Sequence, residues 1–252
     1  MKTKIAVITG GSRGLGRNMA IATAKKGIDV IITYNSNKEA AEQVVSEIQS
    51  LGRKAKAFQL DTSNINLFDA FINDVSNWTK AEYGSAGFDF LVNNAGTGLY
   101  AAVTEVTEQQ MDTIYNIHYK GIFFLTQKAL RVMNDGGGIV NISSGLTRIT
   151  QPGSSVYGSL KTAVEALTRY MAKELGPRKI RVNVVAPGAI ETDFGGGRVR
   201  DNKEINAQIA AITALGRVGL PDDIGGVVAF LCTEDARWIN AQRLEVSGGQ
   251  GI

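Results

Sequence analysis

The sequence predicts an α/β fold built on one parallel sheet. Short apolar runs of strand length alternate with longer stretches of helical period, and a glycine-rich turn joins the first strand to the first helix. The polar motifs, moreover, fall where strands end. Alternation of this kind implies right-handed crossovers between parallel neighbours, and in such sheets ligands bind at the strand carboxyl ends. The 252 residues exceed the common domain size, but α/β folds of this length often form one domain. No repeat, low-complexity tract or linker divides 1–252.

Residues Ile5 to Thr9 read as the first strand, ending in Gly10-Gly11-Ser12-Arg13-Gly14-Leu15-Gly16 before a helix of small residues. Glycines permit the turn and let backbone amides approach a pyrophosphate, which also gains from the positive end of the helix. The next strand, Asp29 to Tyr34, leads to Asn35-Ser36-Asn37. An NAD-specific site usually places an acid about twenty residues past the glycine turn to hold the ribose hydroxyls. Asn35 and Ser36 stand there instead, and Arg13 lies within the turn, so a 2′-phosphate would meet donors and a cation with no carboxylate to repel it.

Helix Lys38 to Leu51, strand Ala55 to Leu60 with Asp61-Thr62-Ser63, helix Leu67 to Glu82 and strand Phe88 to Val92 with Asn93-Asn94-Ala95-Gly96 continue the alternation. One long helix, Glu108 to Asn134, is expected next, stopped by Asp135-Gly136-Gly137-Gly138. The apolar segment Gly138 to Ser143 then reads as a short buried strand ending at Ser144.

From Val156 to Leu175 the apolar residues Val156, Leu160, Val164, Leu167, Met171 and Leu175 recur at three- and four-residue steps, so this run should be one helix. Tyr157 and Lys161 then share a face. A free phenol has a pKa of about 10, and a neighbouring ammonium favours the phenolate, so the spacing predicts a lowered value for Tyr157. The Ser144 hydroxyl can hydrogen-bond a substrate oxygen while Tyr157 gives or takes its proton.

Gly176-Pro177 breaks to strand Ile180 to Ala186 and then Pro187-Gly188-Ala189-Ile190-Glu191-Thr192. The segment 193–219, carrying Phe194-Gly195-Gly196-Gly197 and one short helical patch, is long for a plain connection and reads as a mobile lid. Helix Asp222 to Cys232 and strand Arg243 to Val246 close the chain. Leu99, Leu146, Ile149, Pro152 and Phe194 suggest a partly hydrophobic pocket.

Composition narrows the function classes. A content of 44% hydrophobic residues supports a sizeable core. The 27 basic and 24 acidic residues are spread without a basic block, which argues against a nucleic-acid partner. One cysteine, Cys232, excludes an internal disulfide, and one histidine, His118, cannot alone build a zinc site. The start, Met1-Lys2-Thr3-Lys4, runs into a five-residue strand instead of a signal-peptide core, and no stretch approaches a membrane span. The expectation is a soluble, cytoplasmic protein.

In order and spacing, Thr9-Gly10 with Gly14 and Gly16, Asp61, Asn93-Asn94-Ala95-Gly96, Ser144, Tyr157 with Lys161, and Pro187-Gly188 with Thr192 resemble the short-chain dehydrogenase/reductase family over the whole chain. The resemblance implies a single Rossmann-like doubly wound sheet of about seven strands with helices on both faces. It also implies a homotetramer that transfers hydride between a nicotinamide and a carbonyl or alcohol carbon. By this likeness Tyr157 is the general acid, Ser144 polarises the carbonyl, and Lys161 lowers the tyrosine pKa and holds the nicotinamide ribose. Ile190 and Thr192 would contact the carboxamide, and Arg13, Asn35 and Ser36 resemble the NADP-preferring branch. Gly10, Ser12, Gly14, Leu15, Gly16, Ala95, Gly96, Pro187 and Gly188 complete the expected cofactor contacts. Asp61 is either a helix cap or a partner of the adenine amino group. Asn93 and Asn94 either tie neighbouring strands together or touch the cofactor.

One position departs from the family pattern. The asparagine of the family's catalytic set, three residues before a glycine and an apolar-aromatic stretch, is replaced by His118 ahead of Gly121-Ile122-Phe123-Phe124. His118 is either a packed helix residue or, with an ordinary pKa of about 6.5, a group that relays a proton near neutrality. The reading that follows is an NADPH-dependent reductase of a small-molecule carbonyl, with 3-oxoacyl-thioester reduction as one possible activity. Its rivals are an NAD(P)-dependent alcohol or sugar dehydrogenase working oxidatively and a nucleotide-sensing regulator.

Overall fold

Seven strands form one sheet in the order β3-β2-β1-β4-β5-β6-β7, every neighbouring pair parallel. They are β1 (Ile5–Ile8), β2 (Asp29–Tyr34), β3 (Ala55–Gln59), β4 (Phe88–Asn93), β5 (Met133–Ile142), β6 (Arg181–Pro187) and β7 (Arg243–Val246). The helices are α1 (Gly14–Lys25), α2 (Lys38–Ser50), α3 (Phe68–Tyr83), α4 (Glu108–Tyr115), α5 (Gly121–Ala129), α6 (Ser155–Glu174), α7 (Arg198–Asp201), α8 (Lys203–Ala211) and α9 (Pro221–Leu231). This computed structural model describes residues 3–252; Met1 and Lys2, part of the start weighed above, lie outside the described residues.

Alternation along the buried strands explains why the fold is doubly wound. Ala6 and Ile8 of β1, with Val30 and Ile32 of β2, pack against α1, α2 and α9 through Met19, Val44, Ile48, Ile224 and Val228. Ile5 and Val7 point to the other face, where Phe68, Leu125, Val164 and Met171 bring in α3, α5 and α6. Side chains of successive strand residues face opposite ways, so a continuous apolar run fills both cores at once. The strand order reverses between β1 and β4, which opens the ligand crevice at their carboxyl ends.

Two expectations need correction. The long helix expected over 108–134 is divided into α4, a π-helical turn at Asn116–Lys120, and α5. It ends at Ala129. Asp135-Gly136-Gly137-Gly138 is not a helix stop but the bulged entry to β5, where Met133 already pairs with Phe88 and the register shifts before Phe90. A Cβ on Gly137 would lie 2.0 Å from the Asp89 carbonyl oxygen, so only glycine lets the strands approach there. The segment 193–219 holds α7 and α8, more helix than the single patch expected. Its ends are tied where Glu191 N donates to Gly219 O (2.9 Å) and Gly219 N to Ala189 O (2.9 Å).

The π-turn is pinned from outside, because a Cβ on Gly121 would lie 2.2 Å from the Thr62 carbonyl oxygen. Gly121→Ala should therefore lower stability by roughly 1–3 kcal/mol, the usual cost of overpacking. Urea unfolding at unchanged slope is the measurement, and an unmoved midpoint would refute the tight approach.

Candidate active site

The glycine turn is tied to the end of β4 by its own backbone. Asn94 Nδ2 donates to Thr9 O (2.8 Å) and Gly10 O (3.2 Å), while the buried Thr9 hydroxyl accepts from the amides of Asn94 (2.9 Å) and Ala95 (3.0 Å). Gly10 is left-handed (φ +66°), and a Cβ on Gly16 would lie 2.0 Å from Gly10 O. The turn therefore closes only with glycine at these places. α1 begins without a side-chain cap and without an acid in its first turn, so its N-terminal amides and positive dipole end are left for an anion. Ser12 and Leu15 are half-buried beside it, and Leu15 packs on the core.

Arg13 is exposed at the N-cap of α1, and no carboxylate pairs with it among the described residues. Gly10 N and Gly11 N donate to the side chain (3.1 Å) and carbonyl (2.8 Å) of Thr33, which binds the turn to β2. Asn35 and Ser36, both exposed, follow β2 directly. Asp61 Oδ1 closes a local turn on Ser63 N (2.8 Å) and Ser63 Oγ (2.7 Å). It caps no helix; Asn64 does that for the turn which follows.

Asn93 takes the first of its two readings. Its Nδ2 donates to Thr126 Oγ1 (3.1 Å) and Asn141 Oδ1 (2.8 Å), and Asn141 Nδ2 donates on to Thr168 Oγ1 (2.9 Å). The side chain is committed inside the sheet. Asn141, Thr126 and Thr168 escaped the sequence reading, although a lone polar residue in the apolar run Gly138–Ser143 was the available signal.

Ser144 follows β5, and Tyr157 and Lys161 stand one turn apart on α6 as expected. Lys161 is 3% exposed, and its Nζ donates to Ile142 O at 2.7 Å and sits 5.6 Å from the Tyr157 ring centroid. Burial lowers its pKa to about 7. The Tyr157 phenol, 8% exposed, is pushed above its usual value by burial, and the Ser144 hydroxyl bonded to it pulls the other way. The lowering expected from Lys161 is thus not what these side chains produce. Burial is the largest cause of the shift, and it favours the neutral phenol.

His118 lies in the π-turn, 1% exposed, with its ring edge-on to Tyr157 (centroids 5.2 Å, 83°). Its Nε2 is 2.7 Å from Thr97 O and 3.2 Å from Thr97 N. The shorter contact is to an acceptor, so Nε2 carries the proton and Nδ1 is left as a buried acceptor with no partner among the described residues. A Cβ on Gly96 would lie 2.5 Å from His118 Cε1, which explains the glycine there. Burial, then the charge of Lys161, lowers the imidazole to about 3. Of the two readings of His118, its burial and its packing on Tyr157 favour the packed helix residue.

Pro187, the last residue of β6, is buried and Gly188 abuts Ser247 and Gln250, while Ile190 bridges to Gly219. A Cβ on Gly14 would touch Thr192 at 3.6 Å, so the buried Thr192 faces the glycine turn. From the lid, Phe194 lies against the Tyr157 ring (5.8 Å) and near Gly98. Arg198 stacks on Tyr100 (4.7 Å), whose ring covers Gly153. Ile149 turns to Gly251.

The family model described as enoyl-(acyl carrier protein) reductase matches residues 10–250. An uncharacterised oxidoreductase of Methylorubrum extorquens is 41% identical over 99% of this chain and 98% of its own length. The chain belongs to the short-chain dehydrogenase/reductase family. A hydroxynaphthalene reductase-like protein of Metarhizium brunneum is 35% identical over 98% of the chain and 94% of its own. Among solved structures, the promiscuous reductase LugOII, which catalyses a keto-reduction at C1, superposes with TM-score 0.93 at 39% identity, over 99% of this chain and 98% of that one. The angucycline C-6 ketoreductase LanV with bound NADP gives 0.92 at 36%, over 98% and 95%.

For this short-chain dehydrogenase/reductase, the depressed His118 pKa has a stability consequence. The unfolded chain protonates the imidazole near its ordinary value of about 6.5, whereas the folded chain holds it neutral down to about 3. Its stability is therefore complete above that unfolded value and is lost as pH falls through the interval. Relative to His118→Asn, the unmodified protein should lose up to about 1.4 kcal/mol per pH unit between those limits. Urea unfolding at a series of pH values checks this, and parallel curves would refute it.

Proposed function

We propose that this enzyme reduces an aromatic or polycyclic ketone to its alcohol with NADPH, Tyr157 giving the proton. Relatives named as reductases, among them a solved ketoreductase with NADP bound, carry the direction of the reading. In that direction the Tyr157 phenol gives its proton to the carbonyl oxygen. An intact Ser144, Tyr157 and Lys161 argue against a regulator without chemistry.

The residues fit NADP(H). The cradle at Gly10 and Gly16 that a Cβ would fill, the uncapped start of α1, and Arg13 with no carboxylate beside it suit a pyrophosphate and a 2′-phosphate. Asn35 and Ser36 add neutral donors, Asp61 lies at the end of β3, and Gly96, Ile190, Thr192 and Lys161 would line the nicotinamide half. When bound, the cofactor supplies the hydride. The chain orients the carbonyl with the Ser144 hydroxyl, gives its oxygen the Tyr157 proton, and opposes the resulting phenolate with the Lys161 ammonium.

The substrate class rests on relatives named for naphthalene and angucycline ketones and on the rings around the phenol. Phe194, against the phenol, and Tyr100, over Gly153, offer exposed flat apolar surface. For assembly we propose a homotetramer in the cytoplasm. Met111, Tyr115, Phe123 and Tyr170 leave apolar surface exposed on α4, α5 and α6 for a second copy, and the lone Cys232 thiol is free and buried.

NADPH consumption with a panel of naphthol-type ketones, diketones and 3-oxoacyl thioesters should favour the fused-ring ketones; preference for thioesters would overturn the substrate class. Tyr157→Phe should cut turnover by roughly 100-fold or more while NADPH still binds, since only the donated proton is lost. Near-full activity would end the mechanism. Arg13→Ala should weaken NADPH by about 1–2 kcal/mol, the worth of charge-assisted bonds to the 2′-phosphate, and leave NADH unchanged. Equal dissociation constants for the two dinucleotides in the unmodified protein would sink the NADP preference.

A further inference from the structure

The segment Ser247–Gly251 leaves β7 and joins three loops that frame the site. Toward the lid, Leu215 N donates to Gly248 O (3.1 Å), Ala214 N to Gly249 O (3.2 Å), and Gly251 N to Ile212 O (2.7 Å). Toward the loop after Ser144, Arg148 donates to the carbonyls of Gln250 (2.5 Å) and Gly251 (3.0 Å) while its Nε holds Glu245 of β7 at 2.9 Å. The third bond belongs to a side chain. Gln250 Oε1 accepts from Ala189 N at 2.9 Å, and a Cβ on Gly188 would meet the same oxygen at 2.8 Å.

Ala189 precedes Ile190 directly and Thr192 by three residues, so the amide held by Gln250 sits inside the loop that follows β6. We infer that Gln250 is a positioning residue. Its side-chain oxygen fixes the Pro187–Thr192 loop in the shape that meets the nicotinamide end of the cofactor, and its backbone transmits that shape to the lid and to the serine loop. The inference rests on the dinucleotide reading above. One residue touches all three segments: the side chain takes the Ala189 amide, the carbonyl takes Arg148, and the backbone bridges to Thr213. Ordering of the loop around Ile190 and Thr192 therefore orders the trailing end of the lid with it, alongside the direct bonds of Ala189 and Glu191 to Gly219.

The test uses the full-length protein. Gln250→Met keeps the side chain's length and removes the acceptor; Gln250→Glu keeps an acceptor oxygen. Dissociation constants for NADPH and NADH are measured by nucleotide fluorescence, and trypsin cleavage at Arg198, Arg200 and Lys203 of the lid is followed with and without dinucleotide. In Gln250→Met both dinucleotides should weaken by the same factor, roughly 3- to 10-fold for one lost neutral hydrogen bond. Dinucleotide should also cease to protect the lid, and Gln250→Glu should restore both properties. Wild-type affinities with full protection in Gln250→Met overturn the inference, as does a Gln250→Glu variant as impaired as the methionine. The nicotinamide end is common to both dinucleotides, so Gln250 is tested with either one. A missing NADPH preference shows in the unmodified protein alone and is thereby told apart.

Discussion

Lys161 is an amine enclosed by protein, and its hydrogen-bond partner among the described residues is one carbonyl, Ile142 O. Burying an ammonium costs several kcal/mol even after relaxation, and that cost appears here as a pKa lowered to about 7. The same dry volume raises Tyr157, and the charge of Lys161 adds to burial in keeping His118 neutral. The three groups are thus one electrostatic unit. Burial is the largest cause of all three shifts. Phe194 from the lid and the ring of His118 pack against the phenol.

Legibility in the sequence followed the range of the physics involved. β2 and β7 have the boundaries that their apolar runs predict, and α6 differs from its periodic pattern by one residue at each end, because local period alone fixes such elements. The region 108–142 failed for the opposite reason. Its π-turn depends on Thr62 pressing against Gly121, and the start of β5 depends on Met133 finding Phe88. Neither partner is visible within a local window. Glycines 136–138 look like a helix stop, yet what they supply is room beside Asp89.

The site divides in the same way. Tyr157 and Lys161 were legible as neighbours because a four-residue spacing on a helix becomes proximity, and Ser144 joined them through the order of the family motifs. Spacing could not give the desolvation of the phenol, which moves Tyr157 opposite to the direction expected from Lys161. The inner chain Asn93, Asn141 and Thr168 was hidden because its members come from β4, β5 and α6. Gln250 was hidden for the same reason, its partner Ala189 lying sixty-one residues away.

How Ser144 is kept in register with Tyr157 follows from a carboxylate that neither motif contains. Glu165 stands one turn beyond Lys161 on α6, and its Oε1 accepts from Ser143 Oγ (2.7 Å), Thr147 Oγ1 (2.8 Å) and Arg243 Nε (2.7 Å). Ser143 and Thr147 lie on either side of Ser144, so a single oxygen grips the serine loop at both flanks from the helix that carries the tyrosine. A carboxylate with a 12% exposed side chain needs a counter-charge, and Arg243 supplies it from β7 while also donating to Glu245. Glu245 in turn holds Arg148, which grips the tail. The distance between Ser144 and Tyr157 is therefore set by an ion-pair relay running from α6 through the edge strand to the C-terminal segment. An edge strand that would otherwise serve only to finish the sheet becomes part of the frame of the site.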